Sequence, residues 1–105
     1  MQPDKALMMI GMAQKAGKMA SGEFSVEKAV KEGRAHLVIV ALDASENTKK
    51  KMRNMTSFYN TDMIFLGTKE TLGKSMGKEY RSCAAVLSEG FAASIRLKAV
   101  ENTTE

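Results

Sequence analysis

The stretch His36, Leu37, Val38, Ile39, Val40, Ala41, followed by Leu42, Asp43, Ala44, Ser45 and the run Lys49, Lys50, Lys51, decides the fold class. A nearly unbroken aliphatic run between polar flanks predicts a strand covered on both faces, because a strand with one wet face would alternate. Ser45 predicts the N-cap of a helix that runs through the three lysines to about Ser57. Downstream, Met63 to Leu66 reads as a second buried strand, and Thr68 caps a short helix ending near Gly73. Cys83 to Leu87 reads as a third buried strand, and Ser88 opens a last helix from Glu89 to about Glu101. Upstream, Pro3 and Asp4 suit the first turn of a helix that ends at Lys15, with Gly17 as the left-handed residue beyond it. Met19 to Ser21 is extended, and a helix from Gly22 to Glu32 closes at Gly33. Strands alternating with helices predict an α/β fold, a three-layer α/β/α sandwich around a central mixed sheet of about four strands.

The first helix is apolar nearly all round. Leu7, Ile10 and Gly11 form one stripe and Met8, Met9 and Met12 another, for which core packing is expected and an exposed, adaptable methionine surface is the alternative. The polar tail, Asn102 to Glu105, is expected to fray.

With 105 residues, 44% of them hydrophobic and 27% charged, the chain fits one folded domain spanning 1–105. Cys83 is the only cysteine, so no internal disulfide forms. The first apolar run, Ala6 to Ala13, is short and follows Asp4, unlike a secretory signal, and no run approaches a membrane span. A cytoplasmic location, no membrane association and a monomeric state are expected. Residues 1 to 60 carry ten Lys/Arg against six Asp/Glu, whereas residues 61 to 105 carry six of each, so the net charge of +4 sits in the first part. Such polarity modestly favours an anionic partner.

Catalytic sets are scarce. His36 lies at the mouth of the central strand and Cys83 inside an apolar one, and neither has the partners that nucleophilic, acid–base or zinc chemistry requires. No enzyme activity, metal or cofactor is expected. Gly67, five residues, then Gly73, Lys74 and Ser75 resembles a phosphate-binding loop with one residue too many, which displaces the lysine and serine from phosphate and magnesium.

The informative segment is Ser21 to Lys28. A helix beginning near Gly22 offers unpaired N–H groups and a partial positive charge. On a helical wheel Gly22, Val26, Ala29 and Val30 face the core, and Phe24 falls opposite, between Lys28 and Lys31. An outward aromatic beside ammonium groups suits stacking on an unpaired base next to phosphates. Packing of Phe24 under a loop, and a merely solvated lysine face, are the competing readings. For Lys49 to Lys51 the solvated reading is also open, although cations at a helix start oppose the dipole and point to an anionic partner.

At AQKAGKMASG (13–22), EKAVKEGRAHLVIVALDASENTKKKM (27–52), IFLGTKETLGKSMGK (64–78) and YRSCAAV (80–86), the chain resembles the L7Ae/L30e superfamily of kink-turn RNA-binding ribosomal proteins, and within it the small bacterial YlxQ-like members. The likeness covers about residues 4 to 100, with these segments in the same order and spacing. It implies an α/β/α sandwich without enzyme activity that binds structured RNA, ribosomal or regulatory, with translation proteins as further partners. The family's recognition turn typically reads Gly, any residue, Asn, Glu, two residues, Lys. Gly22 and Lys28 match, while Phe24 and Ser25 stand where Asn and Glu read guanines. The RNA contacts thus implied are Lys18, Ser21, Gly22, Glu23, Phe24, Ser25, Lys28, Ser45, Lys69 and the loop Gly77, Lys78, Glu79, Tyr80, Arg81. A protein-interaction module with a drifted RNA face is the alternative function.

Overall fold

The computed structural model describes residues 4–103. In chain order the elements are α1 (Lys5–Lys15), β1 (Met19–Ser21), α2 (Glu23–Lys31), β2 (Leu37–Val40), α3 (Glu46–Phe58), β3 (Met63–Phe65), α4 (Lys69–Ser75), β4 (Cys83–Val86) and α5 (Glu89–Thr103). The sheet order is β1-β4-β2-β3. β2 runs parallel to β3, with Val40 opposite Phe65, and antiparallel to β4, with Val40 opposite Cys83. β1 runs antiparallel to β4, with Ser21 opposite Ala84. The sheet is therefore mixed, as expected. α2 and α3 cover one face while α1, α4 and α5 pack together over the other, giving three layers.

Burial follows this order. β2 and β4 are the inner strands, and every residue of both is buried, so the aliphatic run in β2 is explained by a helix layer on each side. Ile10, Val26, Val30, Met52, Leu72 and Ile95 reach in from five helices to complete the core. Local chemistry sets the helix starts: the Asp4 carboxylate accepts from the N–H groups of Ala6 and Leu7, and Ser45 Oγ accepts from Thr48 N–H. Thr68 and Thr71 form a reciprocal capping box on α4.

Several expectations need correction. β3 is not a buried strand: it is the outer strand, only three residues long, with Met63 and Ile64 half-buried and Phe65 exposed. A short apolar run reads the same at the edge and at the centre of a sheet, and only the strand order separates the two. The methionine stripe of α1 is not core either. Ala6, Ile10 and Ala13 fill the interior and Met9 packs against it, whereas Met8 and Met12 are more than half exposed. The last helix extends through Asn102 and Thr103, the start of the tail expected to fray. Pro3, read as part of the first turn, and the last two residues of that tail lie outside the described residues. The segment that resembled a phosphate loop is helical from Lys69 to Ser75, with Gly73 buried inside it.

Candidate nucleic-acid interface

The register places the last residues of β1, β2 and β3 and the first residue of β4 at one end of the sheet. The chain leaves that end into α2, α3 and α4 and returns to it before β4. The residues from Ser21 to Ser25, Ser45, Lys69 and the segment from Gly77 to Arg81 therefore share one rim. Lys18 does not belong to it. Its carbonyl accepts from Leu87 N–H at 2.8 Å, which fixes it at the far end of β1.

The start of α2 differs chemically from its neighbours. Gly22 has φ 90° and ψ 154°, and no side chain caps the helix. Gly22 N–H donates to Cys83 carbonyl at 3.1 Å, and Gly22 carbonyl accepts from Val26 N–H at 2.9 Å. The turn is thereby tied to β4 while the first N–H groups of α2 face the rim. Phe24 follows with 81% of its surface exposed, so its ring is not packed under a loop. Val26, Ala29 and Val30 are buried on the opposite side.

Lys28 and Lys31 both lie beside Phe24 around a shallow hollow of about 340 Å³, but they are not equivalent. Lys31 Nζ lies 2.9 Å from a Glu27 carboxylate oxygen. Their hydrogen bond and charge attraction hold the Glu27 carboxyl below its ordinary value and Lys31 above its own. Among the described residues Lys28 forms no ion pair, so it is the cation on this face left for an outside anion. Glu23 is turned toward α3. It accepts from Thr48 Oγ1 at 2.7 Å and lies 3.6 Å from Lys51 Nζ, which is also 3.6 Å from Glu27. This link fastens the start of α2 to the first turn of α3. It also occupies a carboxylate that would otherwise repel phosphate. Ser45 has its hydroxyl engaged in capping α3 and in a 3.1 Å bond to Thr48 Oγ1.

Arg81 organises the other side of the rim. Its Nε donates to Ser21 Oγ at 3.1 Å, its Nη1 to Tyr80 carbonyl at 2.7 Å, and its backbone N–H to Lys69 carbonyl at 3.0 Å. The Lys69 N–H in turn donates to Asp43 Oδ1 at 2.7 Å. The 77–81 segment lies directly on α4. A Cβ built on Gly73 would stand 2.7 Å from Glu79 carbonyl oxygen, so only glycine lets the two backbones approach this closely. Tyr80 projects with 63% exposure, and Lys78 and Lys69 are exposed beside it. The rim thus combines two projecting aromatics, exposed cations and an uncapped helix start, a set suited to unpaired bases and phosphates.

Sequence reading missed Leu42, Asp43 and Phe65. Leu42 is exposed on the rim and bonded through its N–H to Gly67 carbonyl. Leu42 ends an apolar run and Phe65 lies inside one, a pattern that reads as core, and Asp43 acts through a partner 26 residues away. His36 is exposed ahead of β2, and its backbone N–H donates to Val86 carbonyl at 2.8 Å. Among the described residues no three His, Cys, Asp or Glu side chains are grouped to hold a metal. None of the described helices is long and apolar enough to cross a membrane.

A family model described as the ribosomal protein L7Ae/L30e/S12e/Gadd45 family matches residues 4–96. The chain belongs to this family. It is 39% identical to the RNA-binding protein YlxQ of Bacillus subtilis (strain 168) over 80% of this chain and 84% of that one. It is 33% identical to the large ribosomal subunit protein eL30 of Methanoregula boonei over 82% of this chain and 88% of that one. Among solved structures, a protein with unknown function from Bacillus halodurans C superposes with a TM-score of 0.88 at 32% identity, covering 91% of this chain and 97% of that one. The 15.5kD RNA binding protein of Giardia lamblia shares the fold at a TM-score of 0.75 and 16% identity, covering 95% of this chain and 89% of that one.

Proposed function

We propose that this chain is a non-enzymatic RNA-binding protein of ribosomal type, acting in the cytoplasm as an accessory of translation, and that its rim holds a kink-turn or related internal-loop RNA. The observation that carries the reading is the exposed Phe24 ring on the uncapped start of α2, beside the unpaired Lys28. Relatives named as RNA-binding and ribosomal proteins over most of both chains support it.

Phe24 stacks on a base that leaves its helix at the bend, and Lys28, Lys69 and Lys78 neutralise the phosphates brought together there. Ser21, Gly22, Glu23, Ser25, Ser45, Glu79, Tyr80 and Arg81 form the rim around the turned-out nucleotide. Phenylalanine and serine lack the side-chain amide and carboxylate that read guanine edges. Recognition therefore rests more on shape and stacking than on base-edge hydrogen bonds.

The deciding experiment compares binding of internal-loop RNA and plain duplex of equal length at low salt. A clear preference for the looped RNA supports the reading, and equal affinity overturns it. Phe24→Ala is expected to weaken the looped RNA by about tenfold and the duplex hardly at all, in line with roughly 1–3 kcal/mol per stacked base. Lys28→Ala is expected to weaken both alike.

A second reading, a protein-docking role, is favoured by one observation, the exposure of Met8 and Met12 on α1. Partners retained from ribonuclease-treated extract by the native chain and lost on changing both methionines to Gln would support it.

A further inference from the structure

We infer that the outer side of α3, together with the β3 edge, is a second phosphate-holding surface that takes the duplex stem flanking the bent loop; the inference rests on the RNA-binding reading above. The Lys49 ammonium and the Arg53 guanidinium each lie 5.9 Å from the centre of the Phe65 ring. They are four residues apart on one helix, about 6 Å along its axis, so both project toward the outer strand. Lys50 stands beside them, exposed and pointing directly away from the core.

Among the described residues neither Lys50 nor Arg53 forms an ion pair, and the carboxylate near Lys49 is the exposed Glu46 at 3.6 Å. Lys51 is different, being turned toward α2 and held between Glu23 and Glu27. The outer side of α3 therefore carries three cations against one carboxylate.

An exposed lysine or arginine ordinarily loses rotamer freedom when it grips a phosphate. Here the electron-rich face of Phe65 already restrains two of them, so part of that ordering precedes binding. Phe65 pairs in register with Val40 at the rim, and Lys49 follows Ser45 by one helical turn. The surface thus continues the rim outward along α3, where a stem leaving the bend would lie.

The test uses the full chain and two RNAs with the same internal loop, one with stems cut short at the loop and one with a long flanking stem. Binding is measured over a range of salt concentrations. Native protein is expected to prefer the long-stem RNA. In the double variant Lys50→Ala/Arg53→Ala, affinity for that RNA is expected to fall about tenfold and its log–log salt slope to drop by about 2, with short-stem binding unchanged. Phe65→Leu removes the ring and keeps every charge, so it is expected to weaken long-stem binding by about threefold at an unchanged slope. Both positions altered in the double variant are solvent-facing, so that variant remains informative even where Phe65→Leu lowers stability.

Equal binding of the two RNAs by native protein, or a double variant that lowers both equally or neither, overturns the inference and leaves the rim reading intact. Absence of any preference for looped RNA removes both together. A protein partner retained after ribonuclease treatment and lost in the double variant would assign this surface to a protein instead.

Discussion

Gly22 adopts a backbone conformation open almost only to glycine, and nothing lies within 4 Å of where its Cβ would be. Gly22→Ala therefore has a conformational cost without a clash, about 1–3 kcal/mol. Denaturant unfolding should show that loss, and RNA binding should weaken as the start of α2 shifts.

Cys83 carries a different kind of information. It is fully buried in β4, and burial pushes its thiol up to about 11, a Ser82 hydrogen bond acting weakly the other way. The thiolate is the reactive form, so alkylation of native protein at neutral pH should proceed only through opening of the sheet. Because the folded state holds this proton more tightly than the unfolded chain, the stability contribution is complete below the unfolded thiol's value of 9.0. It is lost as pH rises toward about 11. The full loss is about 3 kcal/mol. Unfolding curves at mildly and strongly alkaline pH should show it in the native chain, and the slope with pH should flatten in Cys83→Ala.

Among the elements, α4 and the segment folded over it show a local preference overruled by its surroundings. Alanine in place of a mid-helix glycine ordinarily stabilises by about 1 kcal/mol. At Gly73 the added Cβ would press on the backbone of Glu79 and Tyr80. Gly73→Ala is therefore expected to destabilise by about 1–3 kcal/mol. It should also make the 77–81 segment newly sensitive to protease, because that segment must lift.

The same contrast marks what could be read in the sequence. Ser45, Thr68, Gly17 and Gly33 announce helix ends because capping is decided within a few residues. The exposure of Phe24 follows from the hundred-degree step of a helix whose opposite side is apolar. Other features depend on pairing between distant segments. Phe65 looks like core until the strand order leaves β3 at the edge, and Lys18 looks like part of the turn until the Leu87 bond places it at the other end of β1. Lys31 matches Lys28 in type and position, and only the Glu27 contact separates them. The pair Phe24 and Ser25 is legible in the sequence itself, because it departs from the resemblance around it.

At the scale of the whole molecule, charge is arranged more by pairing than by count. Glu23 and Glu27 share Lys51, and Glu27 also holds Lys31, so these two α2 acids next to the rim are paired within the fold. The unpaired cations assigned to RNA belong to separate parts of the chain: Lys28 on α2, Lys50 and Arg53 on α3, Lys69 on α4, and Lys78 in the segment before β4. Binding should accordingly weaken steeply with salt, with a log–log slope near −4 for contacts to four or five phosphates.

The Arg81 guanidinium reaches Ser21 across 60 positions of chain, and that span has a thermodynamic corollary. An unravelled polypeptide scatters these segments and offers a ligand no assembled surface. RNA must then act as a folding ligand, raising the melting temperature as its concentration rises, with about 2.7 kcal/mol gained at a hundredfold excess over Kd. Calorimetric scans with increasing looped RNA would measure that gain. Arg81→Ala, which cuts the tie, should shrink it by weakening the complex more than the free protein.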